Sequence, residues 1–329
     1  MNAFPYLRLR RLRATRELRR LTAQSYPGPE HFLYPVFVVE GKSRLEEIKS
    51  LPGQYRVSVD CLEELLAPVL AQGIAGVLFF GVHEGKKDST GSAAFSPDGI
   101  IPRAVAETAR IFPAAVIATD VCLCAYTDHG HCGIINHKEK PDNDQSLPLI
   151  ARLARLHAES GAHMVAPSAM LDGQVRAIRT ELDKAGFSDT IIMSYSTKFA
   201  SALYGPFRDA ALSAPRCSDR STYQADYQNS GLALRESQLD EMEGADILML
   251  KPSLWYLDLL AGLRKSTNLP LAVYNVSGEY SMICAAAEKN WGDRYLLARE
   301  SLCAFSRAGA DIIISYWANQ YNLIFNDKE

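Results

Sequence analysis

Nowhere among the 329 residues does an apolar run reach the ~18 residues of a membrane-spanning helix, so the sequence offers no such span. A basic excess is missing too. The formal net charge is −3 and the pI about 6.2, which excludes the global charge footprint of a nucleic-acid binder. No glycine-rich dinucleotide fingerprint follows an early strand-like segment, and no composition shift or long linker divides the chain. Seven cysteines (Cys61, Cys122, Cys124, Cys132, Cys217, Cys284 and Cys303) are odd in number and spread out, with no secretory signal before them. That usage fits a reducing, cytoplasmic compartment rather than a disulfide framework.

What is present begins with seven arginines in the first twenty residues: Arg8, Arg10, Arg11, Arg13, Arg16, Arg19 and Arg20. A transit peptide and a solvated basic helix face are two readings. The segment is poor in serine and runs straight into a strand-like stretch, so the preferred reading is an arm, residues 1–30, that packs on a neighbouring subunit. Residues 31–329 then form one catalytic domain.

Eight short apolar runs recur along that domain: Tyr34–Val39, Ala75–Gly81, Ala115–Leu123, Met164–Ser168, Thr190–Ser196, Asp246–Pro252, Leu271–Val276 and Asp311–Tyr316. Near-continuous apolar strands suit a parallel sheet buried on both faces. Helix-like stretches lie between them. Ser58–Gln72 has Asp60 near its start as an N-cap and Gly73 after its end. Leu147–Ser160, Asp172–Ala185 and Asp293–Ala308 end before Gly161, Gly186 and Gly309. The alternation predicts an α/β fold, a (β/α)₈ TIM barrel with an N-terminal arm; a doubly wound open sheet is the alternative. The long irregular stretches 81–99 and 205–231 follow strands, which in a barrel puts them on the catalytic face.

Reactive side chains sit where those strands end: Asp120, Cys122 and Cys124 on the third, Ser168 on the fourth, Tyr195 and Lys198 on the fifth. Lys251, Ser277 and Tyr316 end the sixth, seventh and eighth. A barrel brings them to one mouth. Lys251 terminates the apolar run Ile247–Leu250, so desolvation and a second ammonium on Lys198 would both lower its pKa and free the amine as a nucleophile. A strand-end lysine paired with a carboxylate is the plainer reading. Cys122, Cys124 and Cys132 fall within eleven residues, in DVCLCAYTDHGHCG (Asp120–Gly133). Three soft thiolates leave a fourth position open on Zn²⁺, as in catalytic sites; His129 and His131 are further candidate ligands or simply loop hydrogen-bonders. Arg208 and Arg220 suit a carboxylate clamp, though either alone reads equally as a surface ion pair.

Taken together these segments resemble the porphobilinogen synthase (5-aminolevulinate dehydratase) family. The resemblance runs over nearly the whole chain, through RLRRLR (Arg8–Arg13), KDSTGS (Lys87–Ser92), the cysteine segment, MVAPS (Met164–Ser168) and SYSTKFAS (Ser194–Ser201). It continues through YGPFRDAA (Tyr204–Ala211), EGADILMLKP (Glu243–Pro252), VYNVSGEY (Val273–Tyr280) and GADIIISY (Gly309–Tyr316). It implies a homo-octamer and the condensation of two 5-aminolevulinates to porphobilinogen with loss of two waters, an early step of heme biosynthesis. It implies an imine on Lys251, with Ser277, Tyr316 and Tyr274 on that substrate's side. Lys198 would engage the second substrate, with Arg208, Arg220 and Gln224 near its carboxylate and with Asp120 and Ser168 lining the pocket. Zinc would sit on Cys122, Cys124 and Cys132, and an allosteric Mg²⁺ is implied at Glu236 in ALRES (Ala233–Ser237). The chain departs from the family pattern at Ala169 and Gln174, where an acid and an arginine are usual, at Cys217-Ser218, and at Ser315. The competing expectations are an imine-forming aldolase acting on another keto acid and a decayed paralogue that keeps only its zinc site.

Overall fold

The structure, a computed structural model, describes residues 5–137, 140–214 and 220–326. Eight parallel strands close into a barrel: β1 (Phe32–Val39), β2 (Gly76–Val82), β3 (Val116–Val121), β4 (Met164–Pro167), β5 (Ile191–Lys198), β6 (Ile247–Lys251), β7 (Leu271–Asn275) and β8 (Ile312–Ser315). Each pairs with the next in sequence, and β8 returns to β1 through Phe32↔Ile313 and Leu33↔Ile314. Strands such as β1 and β6 are buried at every residue because barrel packing covers one face and helices the other. The fold is the (β/α)₈ barrel expected, and the open sheet is ruled out by that closure.

Past the β8 pairing, the upper half of β1 takes a different neighbour. Tyr55–Ser58 pairs with it in parallel, from Phe37↔Arg56 to Val39↔Ser58, and carries an antiparallel strand, Leu45–Glu47. This small extension was not legible because Leu45–Glu47 is three exposed residues with no apolar alternation.

The expected helices form, with corrections at their starts. Asp293 accepts from the backbone N–H of Tyr295 and Leu296 and caps Arg294–Ala308, and Asp142 caps Asn143–Glu159 by accepting from Gln145. Asp60 is no cap: it lies inside a 3₁₀ turn, Val59–Cys61, and its carboxylate accepts from Ser43 N and Ser58 Oγ instead. Helix Gln174–Lys184 begins two residues after the expected start at Asp172, with Gly173 at the N-cap in a left-handed conformation. Helices Ile100–Ile111, Ser230–Glu243, Leu257–Ser266 and Ser277–Glu288 complete most of the outer layer.

Near its end the arm packs against the barrel. The Tyr26 ring meets Phe325 at 5.2 Å, and Pro27 O accepts from Tyr321 Oη at 3.0 Å. Before that point Tyr6, Leu7, Leu9, Leu12 and Leu21 are all exposed, Leu21 at 81%. No helix among the described residues is long and apolar enough to cross a membrane.

Candidate active site

The C-terminal ends of the strands surround one mouth, and the two lysines meet there. Lys198 and Lys251 are Cα partners across β5 and β6. Both are buried, at 5% and 4% exposure, although each is the charged end of its strand. Tyr195 lies beside both ammonium groups, with its ring centroid 5.4 Å from Lys198 Nζ and 5.1 Å from Lys251 Nζ. Lys251 is further enclosed by Tyr274 at 4.1 Å, Phe207 at 4.9 Å and Tyr204 at 5.3 Å. Burial, and then the Lys198 charge, push the Lys251 amine well below the ordinary lysine range. No carboxylate pairs with either lysine, so the plainer strand-end ion pair does not hold: among the described residues the ion pairs involve other side chains. Lys198 Nζ instead donates to Ser168 O at 2.5 Å.

Aiming Lys198 into the mouth requires a local irregularity. From Ser194↔Leu248 to Thr197↔Leu250 the chain advances three residues on β5 and two on β6, a β-bulge. Strict alternation would set Tyr195 and Lys198 on opposite faces. The extra residue restores them to the same side.

The three thiols stand beside this pair. Cys122, Cys124 and Cys132 are buried, and their sulfurs all lie within 4.8 Å of one another. β3 ends at Val121, so the cysteines belong to the turn after the strand rather than to the strand itself. That turn is braced by the KDSTGS segment: Asp88 accepts from Thr90 N and Ser92 N, and its carbonyl accepts from Asp128 N. The donor set fits a soft divalent cation such as Zn²⁺, with three sulfurs gathered on one side and cationic Arg220 near enough to stabilise their charge. The histidines do not join it. His129 is held by Ser89 O through Nε2 and by His131 N through Nδ1, and His131 Nδ1 meets Tyr223 Oη at 3.2 Å. Tyr223 Oη also reaches Cys132 Sγ at 3.7 Å.

Asp120 lies between thiols and lysines. Burial raises it to about 6 against the opposing pull of Lys198, Ser168 supplies a hydrogen bond, and its Oδ1 has no partner. Arg220 and Gln224 come from the segment after β5. Arg220 is buried and donates through Nη2 to Gly130 O and Ser213 O, which leaves its Nε unpartnered. Burial opposes its charge but the thiols of Cys132 and Cys124 win, and the guanidinium is held above its usual range. Gln224 is buried with neither amide atom partnered. Buried polar groups left this way mark a place where a polar ligand is expected.

On the opposite wall Tyr274 Oη and Tyr316 Oη are 3.1 Å apart. Ser277, the first residue of the helix after β7, accepts from Phe207 N at 2.9 Å and donates to Leu203 O at 3.2 Å. Short helix Gly205–Ala210, which carries Arg208 and Phe207, therefore lies over the mouth, with the Phe207 ring 5.1 Å from Phe80 and 5.5 Å from Phe37.

Some contributors went unnamed in the sequence. Glu279 is buried and accepts from Ser253 N, Leu254 N, Val276 N and Asn275 Nδ2, tying the segment after Lys251 to the segment before Ser277. Tyr204, Phe207 and Tyr223 supply the aromatic walls; their signal was only that aromatics interleave with the arginines there. Glu236 stands apart, in a polar cleft of about 500 Å³ that Asp172 and Gln224 also line. Burial, then Asp172 and Glu243, raise its carboxyl. Of the departures, Ala169 is wholly buried, Gln174 Oε1 accepts from Leu171 N at 3.5 Å, and Ser315 caps the turn carrying Tyr316. Cys217 and Ser218 lie outside the described residues.

Comparison with known proteins agrees with this geometry. The family model described as Delta-aminolevulinic acid dehydratase matches residues 6–323. The Delta-aminolevulinic acid dehydratase of Methanothermus sociabilis is 49% identical over 315 residues, covering 96% of this chain and 97% of that protein. That of Mycobacterium tuberculosis is 46% identical over 320 residues, 97% of each. A crystal structure of the Toxoplasma gondii enzyme, in complex with the reaction product porphobilinogen, superposes with a TM-score of 0.92 at 40% identity, covering 95% of this chain and 90% of that one.

Proposed function

The chain belongs to the delta-aminolevulinic acid dehydratase family, and we propose that it is a lyase that condenses two 5-aminolevulinates into porphobilinogen with loss of two waters, an early step of heme biosynthesis. The observation that carries the reading is the buried Lys198–Lys251 pair beside three clustered thiols. Nothing in the site favours an aldolase or a decayed scaffold.

Lys251 is the nucleophile on the first substrate. Its amine is available because burial and the neighbouring cation disfavour the ammonium form. The amine adds to the keto carbon and water leaves, which gives an imine that acidifies the adjacent C–H and prepares C–C bond formation. Tyr316 and Ser277 take that substrate's carboxylate, and Tyr274 orients Tyr316. Ser277 does so by turning its hydroxyl proton from Leu203 O to the carboxylate, while its oxygen still accepts from Phe207 N and so keeps helix Gly205–Ala210 over the site.

The second substrate lies by Lys198, with Arg208, Arg220 and Gln224 toward its carboxylate and with Asp120 and Ser168 beside its amine. Holding both molecules in one water-poor mouth replaces an encounter between two solutes with a positioned reaction. Cys122, Cys124 and Cys132 hold zinc there. Bound zinc supplies a Lewis acid near the second substrate.

Glu236, a hard oxygen donor in a polar cleft, is the proposed ligand of a regulatory Mg²⁺. The exposed apolar residues of the arm support self-association, with a homo-octamer as the proposed assembly. Thiols kept free for metal suit the cytoplasm. The test is production of porphobilinogen from 5-aminolevulinate by the zinc-loaded protein. A protein that holds zinc and yields none contradicts the proposal.

A further inference from the structure

The bulge that turns Lys198 into the mouth is fastened from outside the barrel. Ser196 and Thr197, the residues at the bulge, both face helix Ser230–Glu243. The Ser237 hydroxyl donates to Ser196 Oγ at 3.0 Å and is hydrogen-bonded to Thr197 Oγ1. Thr197 Oγ1 also reaches Ala233 O at 3.2 Å. All four residues are buried at 1% exposure or less, so these groups have no water to fall back on. One turn further along the helix, Asp240 accepts from Ser194 Oγ at 2.5 Å, so the hydroxyl seam runs along the outer face of β5.

Ser237 sits in the middle of a helix, where a serine hydroxyl ordinarily turns back to the carbonyl four residues earlier. That carbonyl belongs to Ala233, and here Thr197 takes it while Ser237 reaches across to the strand. Alanine at 233 leaves room for Thr197 to reach the helix backbone. A two-residue strand period gives no reason for consecutive hydroxyls to face the same helix; the bulge does. The segment Ala233–Ser237, whose only assigned member is Glu236, thereby has a second purpose.

We propose that Ser237 and Thr197 are positioning residues for Lys198: their hydrogen bonds hold the β5 bulge in the one register that sends the Lys198 amine toward the substrate. This deepens the proposed function and rests on its reading of Lys198 as a substrate-engaging lysine. Neither residue touches substrate. Removing a hydroxyl leaves its buried partners unsatisfied and frees the bulge to relax toward regular pairing, which swings Lys198 away while Lys251, on the regular strand β6, stays in place.

The test compares Thr197→Val, which keeps the shape and loses the hydroxyl, with Thr197→Ser, which keeps the hydroxyl, and adds Ser237→Ala. Two lysine-resolved readouts are taken on the zinc-loaded protein by peptide mass mapping: borohydride trapping with 5-aminolevulinate, and reductive methylation without substrate. The expected result is that Thr197→Val and Ser237→Ala change Lys198 labelling relative to Lys251 by about tenfold in both assays, while Thr197→Ser resembles the wild type. A Lys198 to Lys251 ratio unchanged in both folded variants overturns the proposal. Unfolding of both, with Thr197→Ser sound, also overturns it by assigning the seam to stability alone. If the wild type traps no substrate on Lys198 while the methylation ratio still shifts, the clamp stands and the role given to Lys198 fails.

Discussion

Lys198 and Lys251 face one another as partners on adjacent strands, and only Lys251 is ringed by aromatic faces, of which Tyr274 at 4.1 Å is the nearest. The two amines therefore differ in environment although they share a mouth. Lys198 keeps a hydrogen bond to Ser168 O, whereas Lys251 has rings and a neighbouring positive charge.

That environment has a stability consequence with a definite sign. The folded-state pKa of Lys251 lies below the unfolded value of about 10.4, so the unfolded chain binds more protons between the two. Stability is lost as pH falls through that window. Lys251→Met, of similar length and uncharged, is expected to be inactive yet more stable than the wild type at pH 7. The difference should shrink as pH rises toward 10. Urea unfolding at pH 7 and pH 9.5 measures it; a destabilised variant at both would mean that the lysine is paired after all.

His157 gives the corresponding prediction on the acid side. It is buried, its Nδ1 meets Thr119 Oγ1 at 3.0 Å, and burial lowers it to about 3. The unfolded histidine gains a proton near pH 6.5 while the folded one does not, so stability present above pH 6.5 falls as pH drops toward 3. Between pH 7 and pH 5 this amounts to about 2 kcal/mol. His157→Gln should remove that share of the acid sensitivity, visible as a smaller shift in unfolding midpoint over the same interval.

Removing one thiol tests the metal site. Cys132→Ala is expected to lose one tightly bound zinc per protomer and nearly all activity, while the barrel, which does not depend on the sulfur, keeps its thermal unfolding transition. Elemental analysis after gel filtration and an activity assay with zinc restored give the answer. Glu236→Gln should retain zinc and activity but lose any stimulation by added magnesium.

Arg220 and Gln224 each keep buried polar atoms without a hydrogen-bond partner among the described residues. Gln224→Leu removes both unpartnered amide atoms, so the free protein should be as stable as the wild type or more so. Its KM for 5-aminolevulinate should rise about tenfold or more. Steady-state kinetics together with thermal unfolding separate this from a structural role, in which stability would fall with affinity.

Most of the barrel was legible because parallel strands buried on both faces leave continuous apolar runs, as Ile247–Leu250 does before Lys251. The strand-end rule then gathered Asp120, Ser168, Lys198, Lys251 and Tyr316 correctly. Less visible was anything set by pairing rather than by composition. The β5 bulge cannot be read from SYSTK, because strict alternation places Lys198 opposite Tyr195. The contacts of Ser237 with β5 cross about forty residues of sequence. Asp60 resembles a helix cap in sequence but falls inside a 3₁₀ turn. Glu279 was hidden because its four donors come from two separate segments, at residues 253–254 and 275–276.

The central claim is that Lys251 is the amine on which the condensation begins. Zinc-loaded wild type and Lys251→Ala are incubated with 5-aminolevulinate, with porphobilinogen followed colorimetrically and the lysine adduct trapped by borohydride and mapped. The expected result is porphobilinogen and a Lys251 adduct from the wild type and neither from the variant. Porphobilinogen formed at comparable rate by Lys251→Ala, or no product from the wild type, would contradict the account.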